Sequence, residues 1–207
     1  MTFDKRTGSL SDMPSRNEIK DIVPDSIYHA YNRGVERRRI FLETRDYHRF
    51  LAQLRQSLHR EPSIELLAYC LMPNHFHLLL RQSEGLGMSR FMQRVSIAYV
   101  MYFNKKYRRV GPLFQGKYKA ASVIDQHQLM EASRYIHLNP ERAGLDWHQH
   151  AYSSRRQYLG DLPDGTVNPA PVLDLFDKPE DYWYYLNRRR NPFPSSSSDL
   201  ERKTRGA

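Results

Sequence analysis

The chain has 207 residues, enough to bury a proper core, but only 40% are hydrophobic and the mean hydropathy is −0.75. One polar domain with flanking segments is therefore expected, and no membrane-spanning helix, since no apolar run approaches the roughly 20 residues that such a helix needs. Lys and Arg total 32 against 23 Asp and Glu, a net charge of +9 with a pI near 9.7, and this balance calls for a polyanionic partner. Fourteen Tyr and nine His add stacking and hydrogen-bonding groups suited to nucleic acid, although charge alone does not separate DNA from RNA or from an anionic membrane. Met1 to Arg6 leads into no apolar core of a signal peptide, and the single Cys70 cannot form an internal disulfide. A cytoplasmic protein with no membrane partner is expected.

Taken in order, residues 1–25 are polar, broken by Gly8, Pro14 and Pro24, and expected to lack order. Ser26 to Asn32 alternates and is rich in β-favouring residues, which predicts a strand running into the basic loop Arg33–Arg39. Thr44 is placed to cap a helix whose apolar stripe is Tyr47, Phe50, Leu51, Leu54 and Leu58, ending before Pro62. Ile64–Met72 and His75–Gln82 read as two strands joined by Pro73-Asn74, an antiparallel hairpin. Gly85 and Gly87 break the chain before a second helix, begun at Ser89 and closed by the cations Lys105 to Arg109. A short strand near Ala120–Ile124 follows, then a helix capped by Asp125 and stopped by Asn139-Pro140.

The order βαββαβα defines an α+β, ferredoxin-like (RRM-like) split βαβ sandwich. Its four-stranded antiparallel sheet carries two helices on one face and leaves the other open for an active site. Beyond Gly144 the pattern weakens: Tyr152–Gly160 is a basic connector, and Val172–Phe176 and Tyr182–Leu186 read as short helical pieces. The expected organisation is a main domain at 26–160, a short helical accessory segment at 161–190 and a disordered basic tail at 191–207.

The chemistry concentrates in two places. Side chains alternate along a strand, so His75 and His77 share one face while Phe76, Leu78 and Leu80 face the core. In the third predicted helix Glu131, Tyr135 and Asn139 recur every four residues as a polar stripe beside the apolar Leu129, Ala132 and Ile136. Docked over the sheet, that helix can bring Tyr135 to the imidazoles, with Asn139 as an oxygen donor. Two neutral imidazoles and an amide suit Mn²⁺ or a tolerated Mg²⁺. A tyrosine hydroxyl needs such a cation to attack a phosphodiester at neutral pH. Cys70 reads as a small buried hydrophobe, His137 as structural, and Glu131 as a solvated or supporting carboxylate without a catalytic role.

Leu71 to Leu79, with His75-Phe76-His77 at its centre, resembles the His-hydrophobic-His motif of the HUH single-tyrosine transposases. Tyr28 to Gly34, Gly111 to Ala120 and Arg134 to Gly144 resemble the REP-associated branch of that family, which acts on repetitive extragenic palindromes. The resemblance spans about residues 26–160. It implies His75 and His77 as metal ligands, Asn139 at the third ligand position, and Tyr135 as the nucleophile. It further implies a divalent Mg²⁺ or Mn²⁺ cofactor, a 5′-phosphotyrosine intermediate and a single-stranded hairpin DNA substrate; whether the chain acts as a monomer or homodimer is left open by the sequence. The basic residues expected on DNA are Arg33, Arg37, Arg38, Arg109, Lys117, Lys119 and Arg142. The alternatives are a non-catalytic RRM-like nucleic-acid-binding module, disfavoured because histidines stand where aromatics should, and a replication initiator or relaxase, disfavoured by the compact length.

Overall fold

The β-rich stretches assemble into one antiparallel sheet in a computed structural model that describes residues 23–160 and 165–188. The N-terminal segment up to residue 22 and the tail from 191, both expected to lack order, lie outside the described residues. The strands are β1 (Ser26–Arg33), β2 (Ile64–Met72), β3 (His75–Gln82) and β4 (Lys119–Val123), in the spatial order β2-β3-β1-β4. With α1 (Thr44–Arg60) between β1 and β2 and α2 (Gly87–Lys106) between β3 and β4, this is the expected α+β split βαβ sandwich. Among the described residues no helix is long and apolar enough to cross a membrane.

α1 and α2 cover one face. Their buried stripes meet Tyr28 and Ala30 of β1, Tyr69 and Leu71 of β2, and Phe76, Leu78 and Leu80 of β3. Phe50, Leu54, Phe76 and Phe91 are fully buried there, each contributing about 2–3 kcal/mol of transfer free energy. The caps differ from those the sequence suggests. α1 is capped by Glu43, paired with Asp46 in a capping box, rather than by Thr44. α2 begins two residues before Ser89, and the Gln82 side chain reaches forward to accept the Met88 amide at 2.7 Å. β4 begins one residue earlier than expected.

The opposite face is not left bare. α3 (Gln126–His137) docks across β2 and β3 and, with Trp147, Tyr158, Val172, Tyr182 and Leu186, builds a second core on Leu67, Ala68, Cys70, Met72 and Leu79. A bulge at Leu67 makes this possible. Ahead of it Leu66 faces the first core; after it the phase reverses, so Tyr69 and Leu71 face the first core while Ala68, Cys70 and Met72 face the second. Four short helices follow α3: α4 (Asn139–Arg142), α5 (Arg155–Tyr158), α6 (Ala170–Leu173) and α7 (Asp181–Asn187). α3 ends at Leu138, ahead of Asn139-Pro140 as expected, but Asn139 then opens a separate single turn of helix, α4.

Candidate active site

Strand register decides which side chains meet on the α3 face. Arg33 of β1 pairs with His75 of β3, and Tyr31 with His77; Lys119 of β4 pairs with Tyr31, and Cys70 of β2 with His77. Directly paired residues point the same way. Lys119, Tyr31, His77 and Cys70 therefore form one row across the sheet, and Arg33, His75 and Met72 the next. His29, paired with Leu79, lies on this face diagonally from His77.

The hairpin that carries the two histidines is pinned from outside. Pro73 accepts the amides of Ile40 and Phe41, and Asn74 accepts that of Gly34. Gly34 is required by close approach, since a Cβ there would stand 2.2 Å from the Arg38 carbonyl oxygen. The Asn74 side chain donates to the Arg37 carbonyl at 3.2 Å and presents its oxygen to His75 Nδ1 at 2.6 Å.

α3 brings the tyrosine. The Tyr135 ring stands edge-on to His77, 5.4 Å between centroids, and 5.7 Å from His29. Asn139, buried at the start of α4, places Oδ1 2.9 Å from His75 Nε2. Tyr135, His75, His77 and Asn139 thus converge on one spot. Glu131, on the same helical stripe, turns away to accept from the Tyr185 hydroxyl of α7.

Burial governs the electrostatics. It lowers the pKa of His75 and takes His77 well below the ordinary histidine range, so both rings are neutral at pH 7. Burial raises the Tyr135 phenol, while the nearby Arg142 charge and a hydrogen bond from Asn139 act against it. Arg142 lies with its guanidinium 4.4 Å from the Tyr135 ring centre. Cys70 is buried, with its thiol pushed up by burial, and stays a neutral apolar neighbour of the site.

The donor set fits a divalent cation. Asn74, anchored through its nitrogen to Arg37, offers His75 Nδ1 an oxygen that accepts the neutral ring's one proton in the Nδ1–H tautomer. Nε2 of the neutral ring is then a lone pair facing the Asn139 oxygen at 2.9 Å, two acceptors with no proton between them. A cation satisfies both. Among the described residues no group of three or more His, Cys, Asp or Glu is placed to hold a metal ion.

The predicted DNA-contacting residues divide. Arg33 flanks His75, and Arg37, held at φ 59°, hangs beside the Asn74 turn. Arg38 bonds to the Val35 carbonyl and pairs with Glu36. The 109–118 loop is tied to β1 by Gln115 to the Arg33 carbonyl and by Asn32 to the Gly116 carbonyl, which sets exposed Lys117 at the sheet end near exposed Lys119. Arg109 lies over Phe103 in the α1–α2 layer, away from the imidazoles. His29 and Tyr31 of β1, which the sequence does not single out as site residues, also lie on this face. Their alternation against Tyr28 and Ala30 was visible, but only the register puts them beside His77.

Residues 22–139 match the model of a family described as transposase, IS200-like, and the chain belongs to that family. It is a transposase, an enzyme of DNA recombination. A solved REP-associated tyrosine transposase, in complex with a REP hairpin, superposes with a TM-score of 0.57 at 16% identity, over 71% of this chain and 85% of its own, and shares the fold. A putative transposase from Deinococcus radiodurans R1 aligns with a TM-score of 0.42 at 19% identity, over 56% of this chain and 91% of its own. Comparison with curated proteins found no match.

Proposed function

We propose that this transposase cleaves and rejoins single-stranded DNA at palindromic, REP-like hairpins through a covalent 5′-phosphotyrosine on Tyr135. The observation that carries the reading is the convergence of Tyr135, His77, His75 and Asn139 on the α3 face of the sheet within one chain. Tyr135 Oη attacks the scissile phosphorus and loses its proton as the P–O3′ bond breaks; the departing 3′ oxygen takes up a proton as a free 3′-OH. Attack on the phosphotyrosine by a second 3′-OH reverses the step and joins a new strand. His75, His77 and Asn139 would hold Mg²⁺ or Mn²⁺. Bound there, the ion supplies Lewis-acid polarisation of the phosphate and neutralises developing charge.

The protein's own groups do the rest. Arg142, packed on the Tyr135 ring, favours the phenolate that attack requires. Arg33, Arg37, Lys117 and Lys119 supply cations for the phosphate backbone around the site. α7 of the accessory segment bonds to α3 through Arg134 and His137 and so supports the helix that carries Tyr135. The likeness to a hairpin-bound relative of the same fold supports the substrate class.

The test is an adduct assay. Wild type and Tyr135→Phe are incubated with hairpin single-stranded DNA and Mn²⁺ or Mg²⁺, and covalent protein–DNA bands are resolved on denaturing gels. A band from wild type alone is expected. Equal bands from both remove Tyr135 as nucleophile, and binding to hairpins with no band in any metal returns the chain to a binding module.

A further inference from the structure

β1 carries a buried histidine for which the cleavage chemistry above has no use. His29 is 1% exposed, and its Nε2 lies 2.8 Å from Nδ1 of His77. Its other ring nitrogen, Nδ1, is buried and finds no hydrogen-bond partner among the described residues. The rings of Tyr31, His77 and Tyr135 surround it at centroid distances of 5.4, 5.0 and 5.7 Å. A histidine serving only to fill this core would be better replaced by an apolar ring, because burying an unsatisfied ring nitrogen is unfavourable.

The contact admits one proton between two neutral rings, and its position decides what His77 can do. If His29 donates through Nε2, the proton of His77 sits on its own Nε2, and that nitrogen has no lone pair for a cation. If His77 donates through Nδ1, its Nε2 is a free lone pair, and the proton of His29 moves to the orphaned Nδ1. No proton is gained or lost between the two forms. We propose that His29 is a positioning residue for the metal site: it accepts the Nδ1 proton of His77, fixing the ring's orientation and the tautomer whose Nε2 binds a divalent cation. The proposal rests on the metal reading above. Its physics is that of an outer-shell acceptor behind a metal-bound imidazole, whose loss typically weakens metal affinity about 10–100-fold.

The experiment measures Mn²⁺ binding to the full chain without DNA, by titration calorimetry and by loss of the free-ion EPR signal, for wild type, His29→Gln, His29→Phe and His75→Ala. Gln keeps an acceptor at the position of Nε2, so His29→Gln is expected to bind within a few-fold of wild type. His29→Phe is expected to lose about 10–100-fold while its melting temperature stays level or rises, a pairing a purely structural histidine does not give. Wild-type affinity in His29→Phe overturns the proposal and leaves the metal reading intact. Absence of Mn²⁺ binding in wild type, unchanged in His75→Ala, overturns the metal reading and the proposal with it. Should His29→Phe fail to fold, the ¹⁵N shifts of the wild-type histidines without metal decide: a proton on Nδ1 of His77 supports the proposal, and a proton on Nε2 overturns it.

Discussion

The Arg142 guanidinium lies 4.4 Å from the centre of the Tyr135 ring, covering the residue proposed as nucleophile with a fixed positive charge. The phenol is raised by burial, and Arg142 is the strongest influence in the opposite direction. Removing it raises the phenol further, so less phenolate is present at any given pH. In single-turnover cleavage, Arg142→Ala should shift the rising limb of the pH–rate profile to higher pH. At neutral pH it should slow adduct formation about 2–5-fold, the range of an exposed cation–π contact of about 0.5–1 kcal/mol. Arg142→Lys keeps the charge and should lie between. A profile unmoved in Arg142→Ala would show that the guanidinium serves DNA phosphate alone.

Asn139 separates His75 from Tyr135, with its oxygen on the imidazole and its nitrogen toward the phenol. Asn139→Ala removes an oxygen donor from the proposed metal site and a hydrogen bond that favours the phenolate. Metal-dependent adduct formation should drop at least about tenfold, by analogy with the loss of groups that support a metal site. Hairpin affinity measured in EDTA should hold, because basic residues elsewhere carry it. An adduct rate within twofold of wild type would remove Asn139 from the ligand set.

Much of this was legible in the sequence because it depends on local pattern. The His75-Phe76-His77 alternation, the two-residue Pro73-Asn74 turn and the apolar periods of α1 and α2 each need only a few neighbouring residues to be read, and all correspond to observed elements. What was not legible depends on long-range register. The Leu67 bulge reverses the facing of β2, and with it the surface on which α3 docks; nothing in Leu66-Leu67-Ala68 marks it. His29 reaches His77 only through a β1–β3 pairing that spans 48 residues. The turn at Leu138 breaks the helix on which Tyr135 and Asn139 were expected to share a stripe, yet Asn139 still arrives at His75 because α4 folds back towards the sheet.

Away from the site, one buried carboxylate organises the helical layer. Asp46 accepts hydrogen bonds from Lys106, Tyr102, Tyr107 and the Leu42 and Glu43 amides. Burial alone would raise its pKa, but these donors, Lys106 and Tyr107 foremost, hold it below the ordinary value of 3.8. Its stabilising contribution is therefore complete above pH 3.8 and is lost as the pH falls through the depressed folded value. Asp46→Asn should cost about 2 kcal/mol at pH 7, because Lys106 loses one of its two carboxylates and the cap is weakened. It should also flatten the acid limb of stability against pH. Urea melts of both proteins between pH 7 and 2.5 test this, and parallel curves would count against it.

The helix that carries Tyr135 is held in place by the segment that follows it. Arg134, the neighbour of Tyr135, is buried and donates to the Tyr185, Leu186 and Arg188 carbonyls at the end of α7. His137, one turn from Arg134 along α3, is fully buried between the Tyr182 hydroxyl at 2.7 Å and Ser154 Oγ at 2.8 Å, and Ser154 also bonds to Tyr69 of β2. α3 is thus clamped between its own sheet and residues more than 40 positions later. Tyr182→Phe removes one hydroxyl without opening a cavity and leaves a His137 nitrogen without its partner, at about 1–3 kcal/mol. Because that loss falls on the α3–α7 contact, hydrogen exchange over residues 126–137 should accelerate while β1 and β3 keep their protection. Cleavage should slow with hairpin affinity unchanged, since the tyrosine would spend less time over His77. Exchange that accelerates equally in every strand would instead mean that Tyr182 stabilises the whole domain and has no particular hold on Tyr135.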